Sequence, residues 1–359
     1  MLSHSLPVRV SLAVGAGLAL LLLYLLSHTN HLPSSHFTPR KDTLDADALE
    51  HVFNSTLGFQ KIFVINLPSR TDHRDTLSLA ATLTGLEVEY VDGATEFDEG
   101  LLPPGGDPAK IGKGSIGAWR AHMNVARRIV EQNITSALVL EGDVDWDIRI
   151  KTQMHDFARA SRQLLAPDGL DHDLLISDFR SDIAANSPYG DTELWDLLWI
   201  GHCGSRFAGG KNEKVPVGKV VIPNDQSVPE PQHLDFEYGE KDLLKDYPPH
   251  TRVVSRARMN VCTLAYGMSQ AGARPMCDGL FGRPTHSCIS VQPQLFQHHR
   301  PVGPKSKFSG ISDHGDGFNE HAYTRNIRWS TRINFDKLVY GQTDYIDSYQ
   351  DGQEEPERQ

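Results

Sequence analysis

ALVLEGDVDWD, residues 137–147, is the stretch on which the reading of this chain turns. Ala137 to Leu140 form a short apolar run, the pattern of a buried strand. Four acids follow at once: Glu141, Asp143, Asp145 and Asp147. Ligands in open α/β sheets collect at the carboxyl ends of strands. Clustered carboxylates at such an end suit a hard divalent cation, which can then hold a diphosphate. Asp143-Val144-Asp145 has the spacing D-x-D. A solvated acidic loop after a core strand looks the same, and short acidic patterns arise often by chance.

Outward from this strand the chain alternates between strand and helix patterns. Lys61 to Leu67 (KIFVINL) reads as a first buried strand and Arg70 to Leu83 as a helix. Leu86 to Val91 alternates like a second strand and ends at Asp92-Gly93. Strand, helix, strand at this spacing is a βαβ unit. A loop rich in Gly and Pro, Leu101 to Gly117, ends in GKGSIG. Ala118 to Gln132 reads as the helix before the acidic strand, and Ile148 to Leu165 as the helix after it. Leu194 to Ile200 is a further strand, running into Gly201-His202-Cys203-Gly204. Ala208 to Pro249 reads as a long surface insertion. Val261 to Met268 predicts a strand leading to Ser269, a helix cap. Cys288 to Phe296 is the last strand. The fold class is α/β.

The chain has 359 residues, 39% of them hydrophobic, and a formal charge of −11. That is enough for a large α/β domain. Without a long basic block, nucleic acid is excluded as the expected partner. Val10 to Leu26 carries no charge and as a helix would span roughly 25 Å, close to a bilayer core. Arg9 precedes it, and the next charge is Arg40. The positive-inside rule then keeps residues 1–9 cytosolic and sends the rest across. The expected organisation is a cytosolic tail (1–9), a transmembrane signal anchor (10–26) and a stem (27–57). A catalytic domain (58–340) and a disordered acidic tail (341–359) follow. A cleaved signal peptide is the other reading of the apolar run. Cys203, Cys262, Cys277 and Cys288 allow two disulfides in any of three pairings, or four free thiols. Cys277 and Cys288 could staple one loop, leaving Cys203 and Cys262 for each other. Sequons at Asn54 and Asn133 fit a luminal chain.

Six blocks, in order, resemble glycosyltransferase family 25. This family includes bacterial lipooligosaccharide galactosyltransferases, collagen galactosyltransferases and many fungal members, and the chain looks like a fungal-type one. The blocks are Phe63 to Leu67 with Arg70, Asp72 and Arg74; Gly114 to His122; Glu141-Gly142-Asp143; Leu198 to Gly204; Thr263 to Gly267; and Val291 to His299. The resemblance covers roughly residues 60–335. It implies a GT-A-like nucleotide-sugar-binding fold, with a mixed, mostly parallel sheet flanked by helices. It also implies UDP-sugar-dependent transfer, most often of galactose, to a glycan or protein acceptor with inversion, assisted by Mn²⁺ or Mg²⁺. A metal neutralises the charge that builds on the departing diphosphate.

On this reading Asp143 is the first metal ligand, Asp145 the second, and Glu141 supports or orients them. Asp143, Asp145 and His202 are the catalytic candidates. Asn66, Arg70, Arg74, Asp92, Gly117 and His122 are the donor-binding candidates, the arginines because guanidinium forks suit phosphate oxygens. Each has a plainer reading: a helix cap near Ile148 for the later acids, a solvated helix face for the arginines, a turn for Asp92 and the glycines, a core histidine for His122 or His202. The expected location is the Golgi or endoplasmic reticulum membrane.

Two features depart from the family. Gly142 stands where the family has the first Asp of an Asp-Asp pair. The chain after Arg274 is shorter by roughly twenty residues, about a helix and a loop. The loop lost there would carry the acceptor-side base, and Asp278 and Asp313 are the nearest substitutes. These departures keep a second reading open, a catalytically weak or inactive relative that binds UDP-sugar or glycan. A hydrolase fits less well, because its two carboxylates flank a cleft rather than share a loop.

Overall fold

A computed structural model describes residues 46–96, 110–166, 169–180, 183, 185–208, 216–236, 238–241, 243–277, 288–311 and 314–353. The expected cytosolic tail, signal anchor and most of the stem lie outside these residues, as do Asp278, Asp313 and the side chain of Cys277. Among the described residues no helix is long and apolar enough to cross a membrane.

Strand β1 (Lys61–Asn66) buries five of its six residues. It lies between two parallel neighbours, β2 (Glu89–Asp92) and β3 (Ser136–Glu141). Both faces of this sheet are covered, which is why β1 and β3 are continuously apolar rather than alternating. Val64, Leu138 and Leu140 face one core with Leu77 and Ala80 of helix α1 (Thr71–Leu83). Met154 and Phe157 of helix α3 (Ile150–Leu164) pack into the same core. Phe63, Ala137 and Val139 face the other core. There they meet Ala121, Val125, Ala126 and Ile129, the apolar stripe of helix α2 (Lys113–Glu131).

The register places Asn66 beside Asp92 and Ile65 beside Glu141. Three parallel strands therefore end at one edge. Beyond β3 come, in chain order, β4 (Val144–Trp146), β5 (Asp173–Leu175), β6 (Leu197–Gly201), β7 (Gly204–Arg206) and β8 (Lys219–Ile222). These are followed by β9 (Arg252–Arg256), β10 (Arg258–Val261), β11 (Ala265–Ser269), helix α4 (Gln270–Cys277), β12 (Cys288–Gln292) and β13 (Phe296–Arg300). The main sheet has the order β2-β1-β3-β11-β6-β12-β9-β8-β5. It is mixed: β11 is antiparallel to β3 and β6, whereas β12 is parallel to β6. A mixed sheet with helices on both faces is consistent with a GT-A-like fold.

Two expected strands each divide. Val261 to Met268 becomes β10 and β11, because the chain turns out of the sheet at Cys262, whose φ is +67°. Cys262 is disulfide-bonded to Cys203. Cys288 to Phe296 becomes β12 and β13, separated at Pro293, which has no N–H for a ladder. Ser269 caps α4 as expected, its Oγ accepting from the Gly272 N–H at 3.0 Å.

Three expected boundaries move. The fold begins before Gly58: a 3₁₀ helix, Ala46–Phe53, packs on α3, and Val52 and Leu57 are fully buried. The 208–249 segment is no loose insertion where it is described. It contributes β8 and a small core of Val228, Leu234, Phe236 and Leu243 against Val253. Residues 341–353 are an ordered strap rather than a disordered tail. Asp347 and Asp351 pair with Arg328 at 2.8 and 3.0 Å, and the Tyr349 hydroxyl donates to the Thr324 carbonyl. The acidity that suggested disorder supplies partners for one buried arginine.

Candidate functional site

A cleft of about 890 Å³ runs along the carboxyl edge of the sheet. Gly93, Ala94 and Gly117 line one end, Glu141, Asp143 and His298 its middle, and Cys203, Cys262 and Tyr238 the other end. Helix α2 starts at Lys113, ahead of the expected Ala118, so Gly117 is helical. A Cβ there would stand 2.4 Å from the Ala94 carbonyl oxygen. Glycine is what lets the helix approach the loop after β2.

The acidic stretch folds by turning directly after β3. Glu141 closes the strand, Gly142 and Asp143 form the turn, and β4 begins at Val144. One oxygen of Glu141, Oε1, accepts from the Thr263 hydroxyl at 2.7 Å and lies 3.3 Å from His122 Nε2. The other ring nitrogen of His122 is 2.9 Å from the Tyr266 hydroxyl. These side chains fix the carboxylate from behind. Asp143 Oδ2 faces His298 Nε2 at 3.7 Å and Arg300 Nη1 at 3.5 Å. Burial opposes charge on Asp143, but His298, Arg300, His73 and Arg332 hold its pKa below the usual carboxylate range. Burial lowers the pKa of His298 and takes that of His73 down to about 4.

Asp145 goes elsewhere. In β4 it is fully buried, away from the cleft lining. Its Oδ1 accepts from the N–H groups of Trp146 (2.8 Å) and Arg332 (3.2 Å). Its Oδ2 accepts from the hydroxyls of Thr324 (2.7 Å) and Ser330. Strand alternation explains the split, because β13 pairs antiparallel with β4, with His298 opposite Val144 and Gln297 opposite Asp145. His298 and Arg300 turn to Asp143, while His299 between them turns inward, 3.7 Å from Asp145 Oδ2.

The remaining predicted residues divide. Asn66 lines the cleft; its Nδ2 donates to the carbonyls of Leu67 and Arg70, and its buried Oδ1 has no partner among the described residues. Arg70 lines the cleft and grips Asp72 with two hydrogen bonds of 2.9 and 2.7 Å. Gly117 and His122 line it as well. Arg74 does not; it stacks over the Tyr90 ring at 4.4 Å. Asp92 is exposed beside the lining residue Gly93. His202 is buried outside the lining, its Nε2–H donating to the Val291 carbonyl at 2.9 Å. Asp145, Arg74 and His202 thus stand apart from the groups that the cleft brings together.

His298, Arg300, His73 and Lys113 line the cleft and were not singled out from the sequence. His298 lies inside the sixth sequence block. Which of the adjacent His298, His299 and Arg300 faces the cleft is set by the pairing with β4, a long-range fact.

Glu141, Asp143 and His298 bring ligand atoms within 4.8 Å of one another. Two carboxylates and an imidazole suit a borderline divalent ion such as Mn²⁺, so this donor set fits a cation. Gly142 adds no ligand, and a side chain there would press on Asn66. A Cβ at that position would lie 2.3 Å from Asn66 Oδ1.

No protein-family model matches the chain. Among curated proteins, it is 29% identical over 224 residues to procollagen galactosyltransferase 1-B of Xenopus laevis, covering 54% of this chain and 33% of that protein. It is 34% identical over 104 residues to a glycosyltransferase 25 family member of Anopheles gambiae, covering 25% and 18%. It is 26% identical over 270 residues to the probable inactive glycosyltransferase 25 family member 3 of Bos taurus, covering 71% and 34%. The matches span about a third or less of these relatives' own length. Over these parts the chain is similar to members of the glycosyltransferase 25 family.

Proposed function

We propose that the chain transfers a hexose, galactose first among candidates, from a UDP-sugar to a glycan or protein acceptor with inversion. The observation that carries this is the Glu141, Asp143 and His298 group, midway along a cleft that opens where three parallel strands end. The nucleotide lies over the β2, β1 and β3 ends, beside the lining residues Gly93 and Gly117. The acceptor lies over the start of β11 and the end of β6, beside Tyr238 and the Cys203–Cys262 disulfide. Glu141, Asp143 and His298 hold Mn²⁺ or Mg²⁺, which when bound neutralises charge on the leaving diphosphate. His122, Thr263 and Tyr266 keep Glu141 aimed at it.

Inverting transfer breaks the bond from the anomeric carbon to the UDP oxygen as the acceptor oxygen attacks, and the acceptor's proton needs a base. Outside the cation group, the carboxylate among the described cleft-lining residues is Asp235, which is paired with Arg325 at the acceptor end. We assign the proton to Asp235. A luminal, membrane-anchored placement belongs to the same proposal. A disulfide is at home in an oxidising compartment, and both sequon asparagines, Asn54 and Asn133, are exposed.

Gly142 and the buried Asp145 favour a second reading, a relative that binds UDP-sugar or glycan without turnover. Relatives named as inactive make that reading concrete. UDP release from a panel of UDP-sugars, measured on the full chain with Mn²⁺ and with chelator, separates the two. Release from one sugar that stops with chelator and in Asp143→Ala supports the transferase. A folded chain that binds UDP and releases none from any sugar is the non-catalytic relative.

A further inference from the structure

We propose that Arg300 is the anchor for the donor's diphosphate and competes with the divalent cation for Asp143, so that nucleotide capture does not require the cation. The proposal rests on the nucleotide-sugar reading above and concerns the order in which the site fills.

The starting observation is crowding at one oxygen. Asp143 Oδ2 lies 3.5 Å from Arg300 Nη1 and 3.7 Å from His298 Nε2. Arg300 is only 11% exposed. It lies beneath the Phe308 ring, 5.5 Å from its centroid, and the same Nη1 donates to the Phe308 carbonyl at 3.4 Å. It is a placed guanidinium, not a surface arm swinging in solvent.

The second observation is how little negative charge is left for a cation around Asp143. Position 142 carries no carboxylate, and a side chain there would press on Asn66. Asp145 spends both oxygens inside the protein. Glu141 has one oxygen committed to Thr263 and His122. Against these, Lys113, Arg300 and Lys305 line the cleft, and buried Arg332 donates to the Gly142 carbonyl behind the turn at 3.1 Å.

A bare divalent cation entering this group meets a fixed positive charge already on its best carboxylate. Like charges at such distances repel strongly where water is scarce. A diphosphate meets the reverse: a planar donor fork suited to two phosphate oxygens. Once Arg300 has turned from Asp143 to the diphosphate, Asp143 Oδ2 is released. The cation then has a carboxylate, an imidazole and phosphate oxygens to bind. Anion first and cation second is the order that the charges favour.

The test is paired titration of UDP and of Mn²⁺ alone, by calorimetry, on the full chain and on Arg300→Ala and Arg300→Lys. UDP should bind the parent chain in chelator. Arg300→Ala should weaken that binding tenfold or more, and Arg300→Lys should restore a good part of it. Mn²⁺ without nucleotide should bind Arg300→Ala several-fold more tightly than the parent. These opposite shifts are the signature, since a merely structural loss weakens both ligands together. Matched thermal midpoints establish that each variant is folded. UDP binding that appears only with Mn²⁺ overturns the proposal and leaves the nucleotide-sugar reading standing. So do affinities for UDP and Mn²⁺ that fall together in Arg300→Ala. No UDP binding with or without Mn²⁺, in a folded chain, removes the nucleotide-sugar reading and this proposal with it.

Discussion

Asp143 and Asp145 are two residues apart and live in different proteins, chemically speaking. Asp143 sits on a turn, faces a cleft and is surrounded by cationic groups that hold it ionised. Asp145 sits in a strand, is sealed from solvent and fastens the turn before it to the chain from Thr324 to Arg332. The same carboxylate faces the cleft at one position and is a structural hub at the other. What differs is the backbone: a turn keeps Asp143 free of the ladder, and β4 turns Asp145 inward.

The sharpest way to break this contrast is to truncate each acid. Asp145→Ala strands several buried donors and should cost about 3–5 kcal/mol of stability, measured by denaturant unfolding. Asp143→Asn should leave stability nearly unchanged and reduce cation-stimulated UDP release about a hundredfold, the scale of a lost electrostatic contact to the reacting charge. If Asp145→Ala stays stable and loses turnover instead, the two roles are reversed.

A smaller effect sharpens the question of Gly142. Placing an acid at this position by Gly142→Asp should not tighten Mn²⁺ binding. The new side chain meets Asn66 Oδ1, and overpacking of this kind costs about 1–3 kcal/mol. A stable Gly142→Asp chain with improved Mn²⁺ affinity would show that the space is available after all.

The smallest effect concerns His202, a sequence candidate for catalysis that the fold buries. Burial takes its pKa from 6.5 to about 4. The folded state therefore holds it neutral, whereas the unfolded chain gains a proton as pH drops below 6.5. Stability is then lost as pH falls from 6.5 towards 4, by up to about 1.4 kcal/mol per pH unit for this group. His73 and His299, also near 4, act in the same direction. His202→Leu should be less stable at pH 7, through loss of the bond to the Val291 carbonyl, yet show a shallower decline in acid. An unchanged slope would mean that His202 is not a buried neutral group.

The central sheet was legible because its strands are buried on both faces, so Lys61 to Asn66 and Ser136 to Leu140 announce themselves as apolar runs. Glu141, Asp143, Asn66, Gly117 and His122 were legible as cleft residues because they sit where such strands end or where the facing helix begins. Arg74 and His202 were not separable from them by spacing. One turn of a helix, or one residue of a strand, decides between the cleft and the interior. His298 and Arg300 needed the β4–β13 register, which joins positions about 150 residues apart. The strap at 341–353 was misread because acidic composition suggests disorder, and only the position of Arg328 reveals its partners.

The 3₁₀ helix Ala46–Phe53 has a bearing on where this chain tolerates a cut. Val52 and Leu57 belong to the same core as Phe157 and Leu138. A protease cutting ahead of Ala46 would leave that core complete. One cutting between Phe53 and Gly58 would sever Val52 from the core and leave a fragment prone to further digestion. Limited proteolysis followed by a heat challenge would tell the two products apart, and survival of the shorter one would mean the segment is dispensable.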